Sequence, residues 1–175
     1  GARGAEEATG DGAGILVQLP HGFFLRECSE IGISLPGPSD YAVGQCFLPR
    51  DPGTHGGVRY HFERAMVELG LEILGWRDVP TDNASLGATA ISGEPAIQQV
   101  IVARPVSCHT QVEFERRLFV ARKFATRTVR ESVKGAGQFY VCSMSSRTIV
   151  YKGMLTPRQV PAYFPDLGDE AFESA

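Results

Sequence analysis

The stretch Gly137–Leu155, GQFYVCSMSSRTIVYKGML, decides the fold of this chain. It contains two apolar segments, Phe139–Met144 and Thr148–Leu155, which are joined by the polar residues Ser145-Ser146-Arg147. Both segments are rich in Tyr, Phe, Val, Ile and Thr, the residue types that fit a pleated and half-buried surface. The pattern predicts a β-hairpin. Strands this apolar need further strands and a covering layer, which the preceding residues must supply.

Helical and extended patterns alternate before and after this stretch. Apolar runs predict strands, and apolar residues at helical spacing predict helices. We expect Arg50–Gly57 to be a loop and Gly70 to end a helix in the left-handed conformation. The predicted strands are Ile15–Leu19, Tyr41–Leu48, Leu71–Trp76 and Ala96–Ala103; the predicted helices are His21–Glu30, Val58–Leu69, Val112–Ser132 and one that begins at Thr156-Pro157. No repeat and no long linker divides the chain, so we expect one domain with antiparallel pairing.

Composition excludes several classes of function. The 175 residues suffice for one domain with a real core. A net charge of −3 gives no global field that would attract nucleic acid or an anionic membrane. No apolar run reaches the roughly 18 residues of a membrane span, and the first ten residues do not resemble a signal peptide.

A glycine-rich stretch, Gly10-Asp11-Gly12-Ala13-Gly14, invites comparison with dinucleotide-binding loops. Such a loop follows a strand and opens a helix. Here the glycines come before a predicted strand, so the order is reversed. We therefore interpret them as a tight turn into a buried strand.

The histidines and cysteines form no recognisable site. They are His21, His55, His61 and His109, and Cys28, Cys46, Cys108 and Cys142. No pair has metal-ligand spacing, which argues against a metal site. We expect reduced and mostly buried thiols. The Cys108-His109 pair could act as a thiolate and imidazole, but adjacent extended residues face opposite ways, which favours a linker.

Other polar residues allow more than one interpretation. Ser143, Ser145 and Ser146 favour turn chemistry over a serine nucleophile. Arg147 could bind a carboxylate or simply be solvated. Lys152, followed by Gly153, could reach a site or lie on the surface. The long helix is basic and favours a solvated or subunit-facing surface over nucleic-acid binding; its basic residues are Arg116, Arg117, Arg122, Lys123, Arg127 and Arg130.

From residue chemistry alone no active site assembles, but several segments together resemble one family. They are TGDGAGILVQLPHGFF, YAVGQCFLPRD, LEILGWRDVPTDNASLG, FERRLFVARK, FYVCSMSSRTIVYKGML and FPDLGDEAFESA. In this order they resemble the class II, N-terminal-nucleophile glutamine amidotransferase domain of the glutamate synthase large subunit. The resemblance is collinear over nearly the whole chain.

The resemblance implies an α+β fold: a four-layer αββα sandwich in which two mainly antiparallel sheets lie between helical layers, incomplete in this chain. It implies that the parent protein releases ammonia from glutamine and channels it to a synthase site. There, flavin mononucleotide (FMN) and a 3Fe-4S iron–sulfur cluster support amination and reduction of 2-oxoglutarate to glutamate. The implied partners are the synthase domains of the same polypeptide and a small reductase subunit or ferredoxin, with no nucleic acid and no membrane. The implied location is the cytoplasm, or the plastid in a plant or alga.

Residues 1–175 depart from the family pattern at both ends. The family's nucleophile is a cysteine at the mature N-terminus, whereas Gly1-Ala2 resemble the tail of its His-Arg-Gly-Ala motif. The His-Ser-Arg-Phe-Ser-Thr segment and the oxyanion-binding Asn-Gly pair are expected after the last residue. We therefore expect part of one amidotransferase domain, without its nucleophile strand and its C-terminal catalytic strands.

The resemblance assigns no catalytic residue and no metal ligand in this chain. Asp11, Gly12, Lys152 and Gly153 are expected to line or support the substrate pocket. The fragment alone is expected to be inactive. The alternative is a stand-alone amidotransferase-like module that serves binding or assembly.

Overall fold

A computed structural model of the chain describes residues 10–172. Within these residues there are six strands: β1 (Ala13–Gln18), β2 (Tyr41–Leu48), β3 (Ile73–Asp78), β4 (Ala96–Ala103), β5 (Tyr140–Ser145) and β6 (Thr148–Gly153). Five α-helices accompany them: α1 (His21–Glu30), α2 (Pro52–Glu68), α3 (Ala88–Ser92), α4 (Gln111–Ser132) and α5 (Gln159–Tyr163). Single 3₁₀ turns cover Ala136–Gln138 and Pro165–Gly168. The predicted motif at Gly1-Ala2 lies outside the described residues.

The strands form two antiparallel sheets. One has four strands in the order β3-β4-β2-β5, and the other pairs β1 with β6. Helices α2 and α4 cover one face of the four-stranded sheet. The other face packs against the β1–β6 pair together with α1 and α5. The predicted α+β class with two antiparallel sheets is confirmed.

Strand β2 lies at the centre because both of its faces are apolar. Ala42, Cys46 and Leu48 belong to the core under α2 and α4. Tyr41 and Val43 belong to the core between the sheets. Successive side chains of a strand point to opposite faces, so a near-continuous apolar run such as YAVGQCFL indicates burial on both sides.

The predicted hairpin at residues 139–155 is wrong in one respect. Strands β5 and β6 lie side by side, but they belong to different sheets and share no backbone ladder. Side chains of β5 replace that ladder. The Val150 N–H donates to Ser143 Oγ over 3.1 Å, and Cys142 Sγ donates to the Val150 carbonyl over 3.7 Å. Small polar side chains on β5 therefore let the chain pass from one sheet to the other.

Helix boundaries differ from the prediction in two places. The expected loop at Arg50–Gly57 is mostly the first turns of α2. Asp51 caps this helix by accepting from the Thr54 N–H, and Pro52 occupies its first position. The expected final helix does not begin at Thr156-Pro157 but at Gln159, and the short helix α3 was not predicted.

Other boundaries agree with the pattern or with local chemistry. Gly70 has a φ of +69°, as expected for the residue that ends α2. Helix α4 begins at a capping box, in which Thr110 accepts from the Glu113 N–H and Glu113 accepts from the Thr110 N–H. The motif Thr-x-x-Glu at 110–113 could have placed this start from the sequence.

A buried guanidinium joins the four-stranded sheet to α1 and to the turn at Pro165–Gly168. All five N–H groups of Arg77, on β3, donate to nearby oxygens: Glu27 and Asp166 accept two bonds each, and Gln99 Oε1 accepts the fifth. The Arg77 side chain is only 6% exposed and that of Asp166 only 3%. Burial lowers the pKa of Arg77, but Asp166 and Glu27 outweigh this effect and raise it above the ordinary value.

We predict that Arg77→Met lowers the free energy of unfolding by about 3–5 kcal/mol, because it leaves the Asp166 carboxylate buried without its cation. Urea denaturation measures the change. The matched control is Arg127→Met, since the Arg127–Glu131 pair is largely exposed and an exposed ion pair contributes little to stability. Equal effects of both substitutions would contradict the prediction.

Candidate functional site

A cavity of about 470 Å³ opens where the ends of several elements meet. Its walls come from the residues before β1, the end of β6, helix α3 with the Gly93-Glu94-Pro95 segment, and Tyr163 of α5. Phe47, Ile97 and Tyr140 form an apolar floor. These three are cross-strand neighbours, because Phe47 pairs with Ile97 on one side and with Tyr140 on the other. The cavity is thus mostly apolar with a few polar groups, as ligand sites usually are.

The structure brings all four predicted pocket residues to this cavity. Asp11, Gly12, Lys152 and Gly153 all line it. Pairing of β1 with β6 brings the two dipeptides together, since Ala13 lies opposite Gly153. Their role in substrate binding stays a prediction.

A close approach of the two strands explains one glycine beside the cavity. Gly14 lies opposite Lys152 in the β1–β6 pair. A Cβ atom at Gly14 would stand 2.5 Å from Lys152 Cβ and 2.6 Å from the Tyr151 carbonyl oxygen. No side chain fits there, so glycine at this position allows β1 and β6 to lie this close together.

Lys152 supplies a cation to the cavity. Its Nζ lies 3.3 Å from Tyr140 Oη and 4.7 Å from the centroid of that ring. Among residues 10–172 no carboxylate forms a salt bridge with it. A lysine that leans on an aromatic ring without a carboxylate partner can receive an anionic group of a ligand.

Glu94 is a cavity residue that the sequence did not reveal. Its side chain is 3% exposed and pairs with Arg50. Its carboxylate also accepts bonds from Tyr163 Oη (2.7 Å) and Asn83 Nδ2 (3.0 Å). Burial, together with Glu94, raises the pKa of Tyr163, which therefore stays protonated as the donor. Glu94 thus fixes one wall of the cavity. In the sequence, only a prediction of the preceding helix α3 could have pointed to this residue, and that helix was not predicted.

The four thiols are poor candidates for a nucleophile. All are free and buried, as predicted, and none lines the cavity. Burial raises the pKa of Cys28 and of Cys142 to about 11, and it raises the pKa of Cys46 further. Since the thiolate is the reactive form, these groups are unreactive near neutral pH. Cys108 is buried and His109 exposed, so this pair does not form a couple.

The remaining polar candidates lie away from the cavity. Glu115 accepts hydrogen bonds from Ser145 Oγ and from both the N–H and the hydroxyl of Ser146, so these serines hold the turn between β5 and β6. Arg147 is exposed at the end of β6 opposite to Lys152. His55 lies between the Pro49 carbonyl and Gln98 Oε1.

The basic side chains of α4 are exposed or half-buried. Arg127 pairs with Glu131, while Arg122 and Arg130 donate to backbone carbonyls of residues 142 and 139. Exposed Phe119 lies under the charges of Arg122 and Lys123. These side chains are accessible on the helix surface, and the solvated or subunit-facing role that the sequence favoured stays a prediction.

The described residues show no set of ligands for an iron–sulfur cluster. Within residues 10–172, no three His, Cys, Asp or Glu side chains gather closely enough to hold a metal ion, whereas a cluster needs several cysteines together. The glycines at 10–14 lead into β1 and not into a helix, so they offer no phosphate cradle for a flavin. No helix of the described stretch has the length and apolarity to cross a membrane.

Comparison with known proteins agrees with the fold. The family model described as "Glutamine amidotransferases class-II" matches residues 1–175. The chain belongs to this family. The predicted N-terminal-nucleophile hydrolase type is therefore confirmed, and the two sheets are those of a class II glutamine amidotransferase.

The curated relatives of this amidotransferase chain are glutamate synthases. It is 39% identical to the glutamate synthase [NADPH] large chain of Bacillus subtilis over 175 residues, which is 100% of this chain and 11% of the relative. It is 38% identical to glutamate synthase [NADH] of Schizosaccharomyces pombe, over 99% of this chain and 8% of the relative. It is 33% identical to ferredoxin-dependent glutamate synthase 2 of Synechocystis, over 97% of this chain and 10% of the relative. The chain thus spans about a tenth of each relative.

We predict that the buried thiols resist a thiol reagent at pH 8 and react together once denaturant unfolds the chain. In the folded state the pKa of Cys28 and of Cys142 is about 11, above the ordinary thiol value of about 8.5. These thiols therefore add stability that is fully present below about pH 8.5 and is lost as the pH rises through 11. Fast labelling of any thiol in the native protein, or stability that does not fall over this range, would contradict this.

Proposed function

We propose that this chain is part of the glutaminase portion of a glutamate synthase. The parent protein would convert glutamine and 2-oxoglutarate to two glutamates, with ammonia passing from the glutaminase site to a synthase site. The observation that carries the proposal is the match over the whole chain to class II amidotransferases, together with relatives at 33–39% identity that are all named glutamate synthases.

The electron donor does not follow from this part of the protein. The relatives are named for NADPH, NADH and ferredoxin, yet their identities to this chain fall within 33–39%. The synthase domains of the same polypeptide are the proposed partners, along with a small reductase subunit or ferredoxin. FMN and the iron–sulfur cluster would bind to those other parts.

The cavity beside β6 is proposed as part of the glutamine pocket. Asp11, Gly12, Lys152 and Gly153 would form its wall. Glutamine carries an α-carboxylate, and the Lys152 ammonium is a cation in this cavity without a carboxylate partner among residues 10–172. A charge-assisted hydrogen bond between these groups would be stronger than one between neutral groups. The apolar floor would pack against the methylenes of glutamine.

Residues 1–175 would supply the framework and not the reacting groups. The buried thiols lie outside the cavity, and burial keeps Cys28, Cys46 and Cys142 protonated. The nucleophile of the family is a cysteine whose own α-amino group acts as the base, an arrangement that an internal buried cysteine cannot reproduce. The nucleophile and the oxyanion donors would therefore come from other parts of the parent protein.

We predict that residues 1–175 alone release no ammonia from glutamine. A glutamine-mimicking electrophile should leave all four thiols unmodified in mass spectrometry, because they are buried and lie outside the cavity. The longer polypeptide should gain one adduct, on a cysteine outside this chain. Ammonia release by the chain, or an adduct on Cys28, Cys46, Cys108 or Cys142, would overturn the assignment of the chemistry to other segments.

We also predict that Lys152→Met in the longer polypeptide raises the KM for glutamine about tenfold while kcat changes little, as expected for the loss of one charge-assisted hydrogen bond. Steady-state kinetics measures both constants. Lys134→Met is the matched control, because Lys134 is exposed and lies outside the cavity. An unchanged KM for Lys152→Met would remove Lys152 from the pocket without affecting the family assignment.

A further inference from the structure

A layer of polar side chains lies between the two sheets, directly behind the floor of the cavity. Gln45 and Gln99 are cross-strand partners on β2 and β4, two residues inward from Phe47 and Ile97. Ser143 on β5 is the other cross-strand partner of Gln45. Tyr151 reaches this layer from β6. Each of these four side chains is at most 8% exposed.

Arg77 fixes the direction of the hydrogen bonds that link Gln99 to Gln45 and Tyr151. A guanidinium can only donate, and Arg77 Nη1 donates to Gln99 Oε1 over 3.0 Å. The Gln99 amide is therefore oriented with its NH₂ group away from Arg77. That group donates to Gln45 Oε1 (3.0 Å) and to Tyr151 Oη (2.9 Å). The Tyr151 hydroxyl donates a hydrogen bond to Asp166, which also accepts from Arg77.

One branch of this network closes on itself, and the other ends at Gln45. Because Gln45 Oε1 accepts from Gln99, the Gln45 NH₂ group must point away from Gln99. Gln45 Nε2 is fully buried and has no hydrogen-bond partner among the described residues. Rotating the Gln45 amide by half a turn would place its NH₂ group against that of Gln99. The unpaired donor therefore cannot be removed by reorienting the amide. Buried amide donors in folded proteins are almost always paired.

The neighbourhood of Gln45 has an irregularity in the strand pairing and a second polar group. The register between β2 and β5 shifts between Gln45 and Cys46, which marks a β-bulge at this point. Ser143 Oγ faces the same space between the sheets, since it accepts from the Val150 N–H of β6. A hydroxyl oxygen has two acceptor sites, so Ser143 can accept one more bond.

We propose that Gln45 and Ser143 form an internal binding site for one water molecule between the sheets. The water accepts from Gln45 Nε2 and donates to Ser143 Oγ, which gives it the two partners that a buried water requires. A neutral acceptor is favoured over an ion. Glu27 and Asp166 together already exceed the charge of Arg77, so an added anion would be repelled, and the NH₂ group would repel a cation.

A crystal structure of the protein at a resolution that resolves ordered water tests this directly. The expected result is a peak within hydrogen-bond distance of both Gln45 Nε2 and Ser143 Oγ. No peak there, or Gln45 Nε2 bonded to a protein oxygen, would overturn the proposal. This outcome does not depend on the proposed function.

A second test works in solution. Magnetic relaxation dispersion of water nuclei counts long-lived internal waters, and Gln45→Met should lower the count by about one. The matched control is Gln98→Met, the neighbouring glutamine on β4, whose amide is already paired with Asp78 and His55. Its count should equal that of the native protein. An unchanged count for Gln45→Met would overturn the proposal, and the crystal structure of the native protein decides the matter if this variant does not fold.

Discussion

The structure depends on one buried cation, the Arg77 guanidinium, whose five N–H groups must all donate hydrogen bonds. Arg77 sits on β3 between the sheets, and its five N–H groups donate to residues from three parts of the chain: Glu27 of α1, Gln99 of β4 and Asp166 of the last 3₁₀ turn. Its flat face rests on the Phe23 ring, 5.0 Å away. A guanidinium out of water is tolerated only when its donors are satisfied, so these segments cannot shift independently. One side chain therefore sets the position of α1 and of the turn after α5 relative to the four-stranded sheet.

The same network positions the cavity. Tyr151 bonds to both Gln99 and Asp166, which fixes the register of β6 against the central strands. The next two residues, Lys152 and Gly153, then end β6 at the cavity wall. The turn held by Asp166 follows α5 directly, and α5 supplies Tyr163 to the opposite wall. The polar layer is thus a rigid support behind an apolar floor, which is how a site built from several loops keeps its geometry.

The apolar pattern of the sequence was enough to predict the buried helices and strands, but not which of them pair with each other. His21–Glu30, Tyr41–Leu48 and Ala96–Ala103 have the predicted bounds, because burial imposes a helical or extended period on their side chains. The start of α2 was not predicted because its first turns contain three glycines and a proline, which are typical of loops; Asp51 caps the helix there. The passage from β5 to β6 was taken for a hairpin. The bonds that replace a ladder there, from the Val150 N–H to Ser143 Oγ and from Cys142 Sγ to the Val150 carbonyl, cannot be recognised in the apolar pattern. The pocket residues came from the family resemblance, whereas Glu94 depends on contacts with residues far away in sequence.

The distribution of polar groups separates structure from chemistry in this chain. The groups with strongly perturbed pKa values, such as the Cys28, Cys46 and Cys142 thiols and the Tyr151 hydroxyl, are held protonated by burial in the two cores. A perturbation in that direction suits hydrogen bonding and packing, while a nucleophilic thiol needs the opposite shift. The cavity has a cation in Lys152 and a fixed carboxylate in Glu94, but no thiol among the described residues that line it. Under the proposed function, such a cavity would orient glutamine, and the attacking cysteine would come from another segment of the parent protein.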